Sequence, residues 1–342
     1  MNALLMPGMR TLERFRFARK FQLLALMFIL PLAYAGWMIG QTYLEKLSVV
    51  DGERSGVRQL QALDRVELAL VIQRNRTARW KASERNREVS AESQAALSRL
   101  QQGEAGLDEA LQQLQQVLAD EGASSHVTER LQALLGLRDG LGGQALSSVG
   151  WWPDAYDRFT LALQQLVSLR EQVATESGLI LDPWLETYLL MQMSTEGTPR
   201  LQQQLGVLAS VGQGAVAAGQ FSLQSRLQLR EIRRATGESR QQLEKFGENL
   251  EGKLPKSLSA WQERYAQSLA GLDEWLKQLD QKMYGDAGIS LDVASFEQGM
   301  DATQVHITRL QAATLQALDQ RLAQYRAQAL HALILTASAF TG

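Results

Sequence analysis

Cysteine is absent from the chain, which excludes disulfides, thiol nucleophiles and thiolate metal sites. Histidine is scarce. His126, His306 and His331 stand far apart and no H-E-x-x-H pair occurs, so a zinc or nucleophilic site lacks its usual parts. No G-x-x-x-x-G-K-[ST] or G-x-G-x-x-G stretch signals a phosphate cradle, and Gly212, Gly214 and Gly219 read as a helix junction. Acidic residues fall one or two at a time, without the pairing that general acid and base chemistry needs. An excess of positive charge is missing too: 35 Lys and Arg oppose 37 Asp and Glu, for a formal net charge of -2 and a pI near 6.0. That balance leaves no electrostatic footprint for nucleic acid. The expectation is a chain that is not itself an enzyme and needs neither cofactor nor metal.

Proline is rare, at 6 of 342 residues, and alternating runs of Val, Ile, Thr and aromatic residues are lacking. Gln, Ala, Leu, Glu and Arg dominate in helical periodicity, so the fold class is predicted to be all-α. Glycine and proline clusters divide the helices at 103–106, 122–125, 140–143, 150–153, 178–183, 197–199, 212–219, 252–255 and 285–290. The first helix is expected to run unbroken to about Gln101. Asp182-Pro183 and Thr198-Pro199 have the form of helix starts, an oxygen acceptor followed by a residue that needs no donor.

What is present is an apolar segment near each end. Phe21 to Leu44 contains no charged residue, and Leu23 to Gly40 is almost wholly apolar, long enough at about 1.5 Å per residue to approach a hydrocarbon core of roughly 30 Å. Arg10, Arg14, Arg16, Arg19 and Lys20 precede it. Positive flanks stay in the cytoplasm, so the residues that follow belong outside. Trp37 and Tyr43 suit the outer interface. Two readings of the segment stand: an uncleaved anchor, or a signal sequence cut after Ala33-Tyr34-Ala35. At the other end, Ala327 to Gly342 carries no charge but is shorter than a full span. It reads either as the start of a second transmembrane helix or as an apolar C-terminal helix.

The predicted order is therefore a cytoplasmic basic N-terminus (1–20), a first transmembrane helix (21–44), a periplasmic helical-bundle domain of one or two stacked bundles (45–328) and an incomplete second transmembrane helix (329–342). The closing helix, from about Asp292, carries Leu315, Leu318, Leu322, Tyr325, Ala329 and Ala332 at spacings of three and four. This heptad-like stripe leads into the second apolar segment.

Three places are candidates for ligand contact. In RNRTARW, Arg76 shares a helical stripe with Val66, Ala69, Gln73 and Trp80, which turns its guanidinium toward the interior. A carboxylate or oxyanion fits that fork, although a neighbouring acid or solvent would satisfy it as well. Trp151 and Trp152, with Tyr156, form an aromatic helix-start loop suited to capping a pocket or to packing on the core. In LILDPWLETYLLMQM, Trp184, Tyr188 and Met191 fall on one face, and Tyr188 offers a hydroxyl.

Three segments carry a family resemblance. Glu53-Arg54-Ser55-Gly56, followed by Leu60 and Leu63, is similar to the E-x-x-G start of the sensor helices of bacterial transmembrane transducers. Gln73 to Thr77 resembles their Q-x-H-R-G stretch at Gln73 and Arg76, with Asn75 and Thr77 departing from it. Leu181, Asp182, Pro183, Tyr188, Leu190 and Met191 match their L-D-P-x-x-D-S-Y-Y-L-M pattern, with Glu186 and Thr187 in place of the Asp and Ser. The chain thus resembles the N-terminal sensor half of methyl-accepting chemotaxis proteins and of relatives with diguanylate cyclase or histidine kinase outputs. The resemblance implies a homodimer in the bacterial inner membrane whose periplasmic domain receives a small-molecule ligand or a periplasmic binding protein. It implies a helix displacement passed across the membrane. The competing class is a non-sensing structural or assembly protein of the cell envelope.

Overall fold

The computed structural model of the chain describes residues 17–85, 91–149, 152–221, 223–285 and 288–341. They are about 90% helical, with no strand among them, as the scarcity of proline and the 3.6-residue periodicity require. The helices are α1 (Phe17–Arg85), α2 (Ala91–Asp120), α3 (Ser125–Leu137), α4 (Gly143–Ser147), α5 (Trp152–Glu176), α6 (Leu185–Gln192), α7 (Thr198–Ala218), α8 (Leu223–Leu250), α9 (Ser259–Lys282) and α10 (Val293–Thr341). A π turn, Met193–Gly197, joins α6 to α7 without a break.

Compactness divides the chain into two units, residues 52–322 and the terminal segments 1–51 with 323–342. In the terminal unit, Arg326 of α10 donates from Nε to Asp51 Oδ1 of α1 at 2.6 Å. Leu24, Met27, Phe28, Leu30 and Leu32 of α1 are exposed, as are Leu330, Ile334 and Leu335 of α10. Among the described helices, α1 alone contains an apolar window long enough, by length and composition, to cross a membrane, and none of that window is buried. Pro31 lies inside α1, which continues through it.

In the larger unit, α1 buries Val57, Leu60, Leu63, Val66 and Leu70, and α10 buries Ile307, Leu310, Leu315, Leu318 and Leu322. The two helices run antiparallel. Asn75 donates to Gln304 at 3.2 Å, Gln311 donates to Asp64 at 3.0 Å, and Arg54 meets Asp319 at 2.8 Å. On another side of α1 lies α2, where Arg76 Nη1 donates to the Arg99 carbonyl at 2.8 Å and Arg65 to Gln113 at 3.1 Å. Each ladder steps up one helix and down the other, which fixes their register.

Glycine marks the places where helices meet backbone to side chain. The predicted break at 103–106 is absent, because α2 runs through it and Gly103 gives room to the Gln73 side chain. The break at 197–199 is likewise replaced by the π turn, while Gly122, Gly178, Gly219, Gly252 and Gly288 do take positive φ at chain reversals. Asp182 caps less than expected: its Oδ1 accepts from the Trp184 amide at 2.9 Å, and α6 starts only at Leu185. The closing helix, α10, starts at Val293, next to the expected Asp292, whose Oδ1 accepts from the Ser295 amide at 2.9 Å.

One packing contact of α9 with α10 rests on Gly299. A Cβ there would overlap the Trp275 ring, which is 5% exposed and donates from Nε1 to Met300 Sδ at 3.1 Å. Gly299→Ala is expected to lower unfolding free energy by about 1–3 kcal/mol, the usual cost of overpacking. A urea titration checks it, and an unchanged midpoint would mean that the ring moves aside freely.

Candidate functional site

The larger unit hides charge where an all-helical core ordinarily hides leucine. On α1, Asp64, Glu67, Val71 and Arg74 are spaced by three, four and three residues and so share one face. Glu67 and Arg74 are 2% and 1% exposed. Arg170, from α5, is equally enclosed at 1%. Its Nη1 lies 2.6 Å from Asp64 Oδ1, its Nη2 lies 2.6 Å from Glu67 Oε2, and Nη1 also donates to the Ser194 carbonyl at 3.1 Å. Gln311 of α10 closes the network, donating from Nε2 to Asp64 at 3.0 Å and to the same Ser194 carbonyl at 2.7 Å.

The Ser194 carbonyl is available because of the π turn. A five-residue hydrogen-bond step, seen in the Thr198 amide reaching the Met193 carbonyl, shifts the following carbonyl out of the ordinary ladder. Two side chains from two helices converge on it. Such turns recur at functional positions, and this one binds α5, α6 and α10 to a single atom.

Burial dominates the electrostatics. It pushes the Glu67 carboxyl up to about 7, Arg170 opposing that rise through charge and hydrogen bond, and it raises Asp64 in the same way. Arg170 itself loses hydration, but Asp64 and Glu67 outweigh that loss and hold its pKa above the ordinary value. Arg74 has no such compensation. Burial lowers its pKa, with the Tyr156 hydroxyl and Glu67 countering only in part. Its Nε and Nη2 have no hydrogen-bond acceptor, and its guanidinium carbon lies 5.6 Å from the Tyr156 ring centroid.

The sequence pattern placed the inward-facing arginine one position pair too late. Arg76 is half-buried and spends its Nη1 on the Arg99 carbonyl, whereas Arg74 is the enclosed cation. The reason is that α1 is covered on more than one side here, by α2 as well as by α5 and α7, so a single stripe does not define its interior. Gln73 is fully buried against Gly103, and neither atom of its amide is hydrogen-bonded. Trp80 is 7% exposed, with Lys81 Nζ 4.5 Å from its ring centroid. Gln73 and Arg76 therefore do share the α2-facing side, but Tyr188 stands on α6, where its hydroxyl accepts from Gln192 at 2.6 Å. Trp151 lies outside the described residues, and nothing is described of the Trp152 side chain at the start of α5.

Another buried acid, Glu53, also belongs to α1. Glu53 is fully enclosed, neither of its carboxylate oxygens is hydrogen-bonded, and burial followed by the charge of Asp182 pushes it up to about 8. Gly56, one turn along, packs against Ser177 and Leu179. The E-x-x-G segment and the L-D-P segment, remote in sequence, thus meet in space.

Among the described residues no group of three or more His, Cys, Asp or Glu could hold a metal ion. One surface hollow, about 580 Å³, is lined by one helix, from Ala294 to His306. Another, about 360 Å³, lies between the salt-bridged faces of α8 and α9 at Arg233, Arg240, Asp273 and Asp280. Neither includes Arg74, Arg170 or Glu67. No protein family and no curated protein matches the chain. Among solved structures it is similar to the NasR transcription antiterminator, with 15% identity and a TM-score of 0.47 over 92% of this chain and 76% of that one.

Proposed function

We propose that this chain is the ligand-sensing segment of an inner-membrane signal transducer of the chemoreceptor kind, with residues 45–328 in the periplasm as a helical bundle. The observation that carries the reading is the position of the charged core. Asp64, Glu67 and Arg74 belong to α1, and Gln311 belongs to α10, the two helices whose other ends are the exposed apolar segments. A change in that core acts directly on the elements that enter the membrane. A structural stalk has no need of enclosed charge, which weakens a core relative to hydrocarbon packing.

The mechanism is a shift between two packings of α1 against α10, of the 1–2 Å class known for helix switches. A ligand favours the packing to which it binds more tightly, and only that difference in affinity does work. The working form is a homodimer, as the resemblance implies, and its output is chemotactic signalling. A diguanylate cyclase or histidine kinase output is compatible with the same input stage.

The absence of cysteine makes the test clean. Cysteine pairs introduced at Asn75 and Gln304, and at Arg54 and Asp319, would lock the two outer steps of the α1–α10 ladder. The chain is fused to the cytoplasmic half of a chemoreceptor, and kinase control is measured with the pairs oxidised and reduced. At least one register is expected to fix the output in a single state. If output is indifferent to oxidation in every register, the proposed displacement is wrong.

A further inference from the structure

We propose that Arg74 anchors a buried binding site for a compact oxyanion, presented to the Nε and Nη2 edge of its guanidinium. The proposal deepens the sensor reading and rests on it for the ligand's role, though not for the binding itself. A guanidinium that is 1% exposed and lacks an acceptor on that edge is costly to enclose. The neighbouring acids do not supply the acceptor. Glu67 Oε2 and Asp64 Oδ1 are taken by Arg170, each at 2.6 Å, and the remaining oxygens, Glu67 Oε1 and Asp64 Oδ2, make no hydrogen bond to Arg74 or to any other group. The cluster therefore pairs one arginine with two acids and leaves Nε and Nη2 of the other without a protein acceptor. Two parallel N–H groups match two oxygens of one carboxylate or inorganic oxyanion, and a lysine would not provide that geometry.

The surroundings are shaped around this side chain. The Tyr156 ring covers the guanidinium at 5.6 Å. The backbone of α7 lies against it at Gly206, where any Cβ would overlap Nη2. Glycine in mid-helix costs roughly 0.5–1 kcal/mol relative to alanine, so its presence here has a local reason, and the guanidinium is that reason. Because residue 74 is enclosed and backbone lies against it, the ligand must be small enough to be enclosed too. Glu67 adds a control, since its readily gained proton leaves the two arginines with one fewer negative charge to balance. Bound anion would join α1, α5 and α7 around one charge and favour the packing that closes over it.

The full chain in detergent micelles is melted in sodium formate, acetate, nitrate, sulfate and phosphate, each against chloride at matched ionic strength. Organic and inorganic oxyanions form separate arms, so the source of the chemistry is read from which arm responds. At least one anion is expected to raise the midpoint saturably, by about 5 °C at a hundredfold excess over its dissociation constant. Arg74→Lys, which keeps the charge and loses the fork, is expected to abolish the shift, and Arg76→Lys to retain it. Gly206→Ala, which pushes on Nη2, is expected to weaken binding at least tenfold. Should these variants not fold, line broadening of 13C-formate or displacement of it by a second anion in the wild-type chain still reports binding. No response to any anion, or an equal response in Arg74→Lys, overturns the proposal, and a response lost only in Arg76→Lys moves the site to the α2 side. Failure here leaves the α1–α10 displacement to be judged by its own cysteine pairs.

Discussion

Arg170→Ala is expected to remove about 3–5 kcal/mol of stability, the range found when one partner of a buried ion pair is taken away. The reason lies less in the pair's attraction than in what is left behind. Asp64 and Glu67 face each other's charge across the vacated space, and the Ser194 carbonyl keeps only Gln311 as a donor. At neutral pH both acids respond by taking up protons, so the loss is expected to shrink as pH falls toward 5. Equilibrium denaturation of the variant at pH 5 and pH 8 measures this. A companion variant, Asp64→Leu with Glu67→Leu, Arg74→Met and Arg170→Met, removes both acids and both arginines together and is expected to recover most of the loss, since apolar substitutes for a whole buried cluster are often neutral or better. A loss below about 1 kcal/mol for Arg170→Ala would mean that water reaches the cluster and that the charge centre is not enclosed.

The all-helical class was legible because it rests on composition and on periodicity, both local. The stripe Leu315, Leu318, Leu322 and Tyr325 was legible for the same reason, and all four residues are buried. The charged core was half legible. Gln73 and Trp80 were correctly assigned to the interior, but Arg74 was passed over for Arg76 because a stripe model assumes one buried face, and α1 between Val66 and Trp80 has buried residues on several. A second template, Asp64-Glu67-Val71-Arg74, was present in the sequence and would have found it. Arg170 carried no local signal. It sits in an ordinary amphipathic helix, and its Glu67 partner is 103 positions away. The π turn was hidden by its own residues, since Gly197 and Pro199 read as a break while Pro199 occupies the first turn of α7, where its missing amide donor costs nothing. Gly103 and Gly206 show why glycine in a helical sequence is not always punctuation: each makes room for a polar side chain from α1.

Glu53 gives the second large effect, and its sign follows from its enclosure. In the unfolded chain its carboxyl titrates near 4.5, and in the folded chain near 8, because burial and then the charge of Asp182 oppose ionisation. The folded state therefore holds a proton that the unfolded state has released throughout that interval, and stability falls as pH rises. The contribution is fully present below 4.5 and is lost by about 8; a shift of this size amounts to a few kcal/mol, on the order of 1.4 per pKa unit. Glu67 acts with the same sign, but its share of the slope is already halved at about pH 7 and fades above it, so Glu53 dominates the slope between pH 7 and 8. Glu53→Gln keeps the shape and removes the proton equilibrium. The slope of unfolding free energy between pH 7 and 8 is expected to flatten in the variant, and the variant is expected to exceed wild type in stability at pH 8.5. Parallel slopes in the two proteins would show that Glu53 is hydrated in the folded state. A flattened slope would show instead that the E-x-x-G and L-D-P segments are joined through a neutral carboxyl, so that raising the pH charges the contact between α1 and the start of α6 and loosens it.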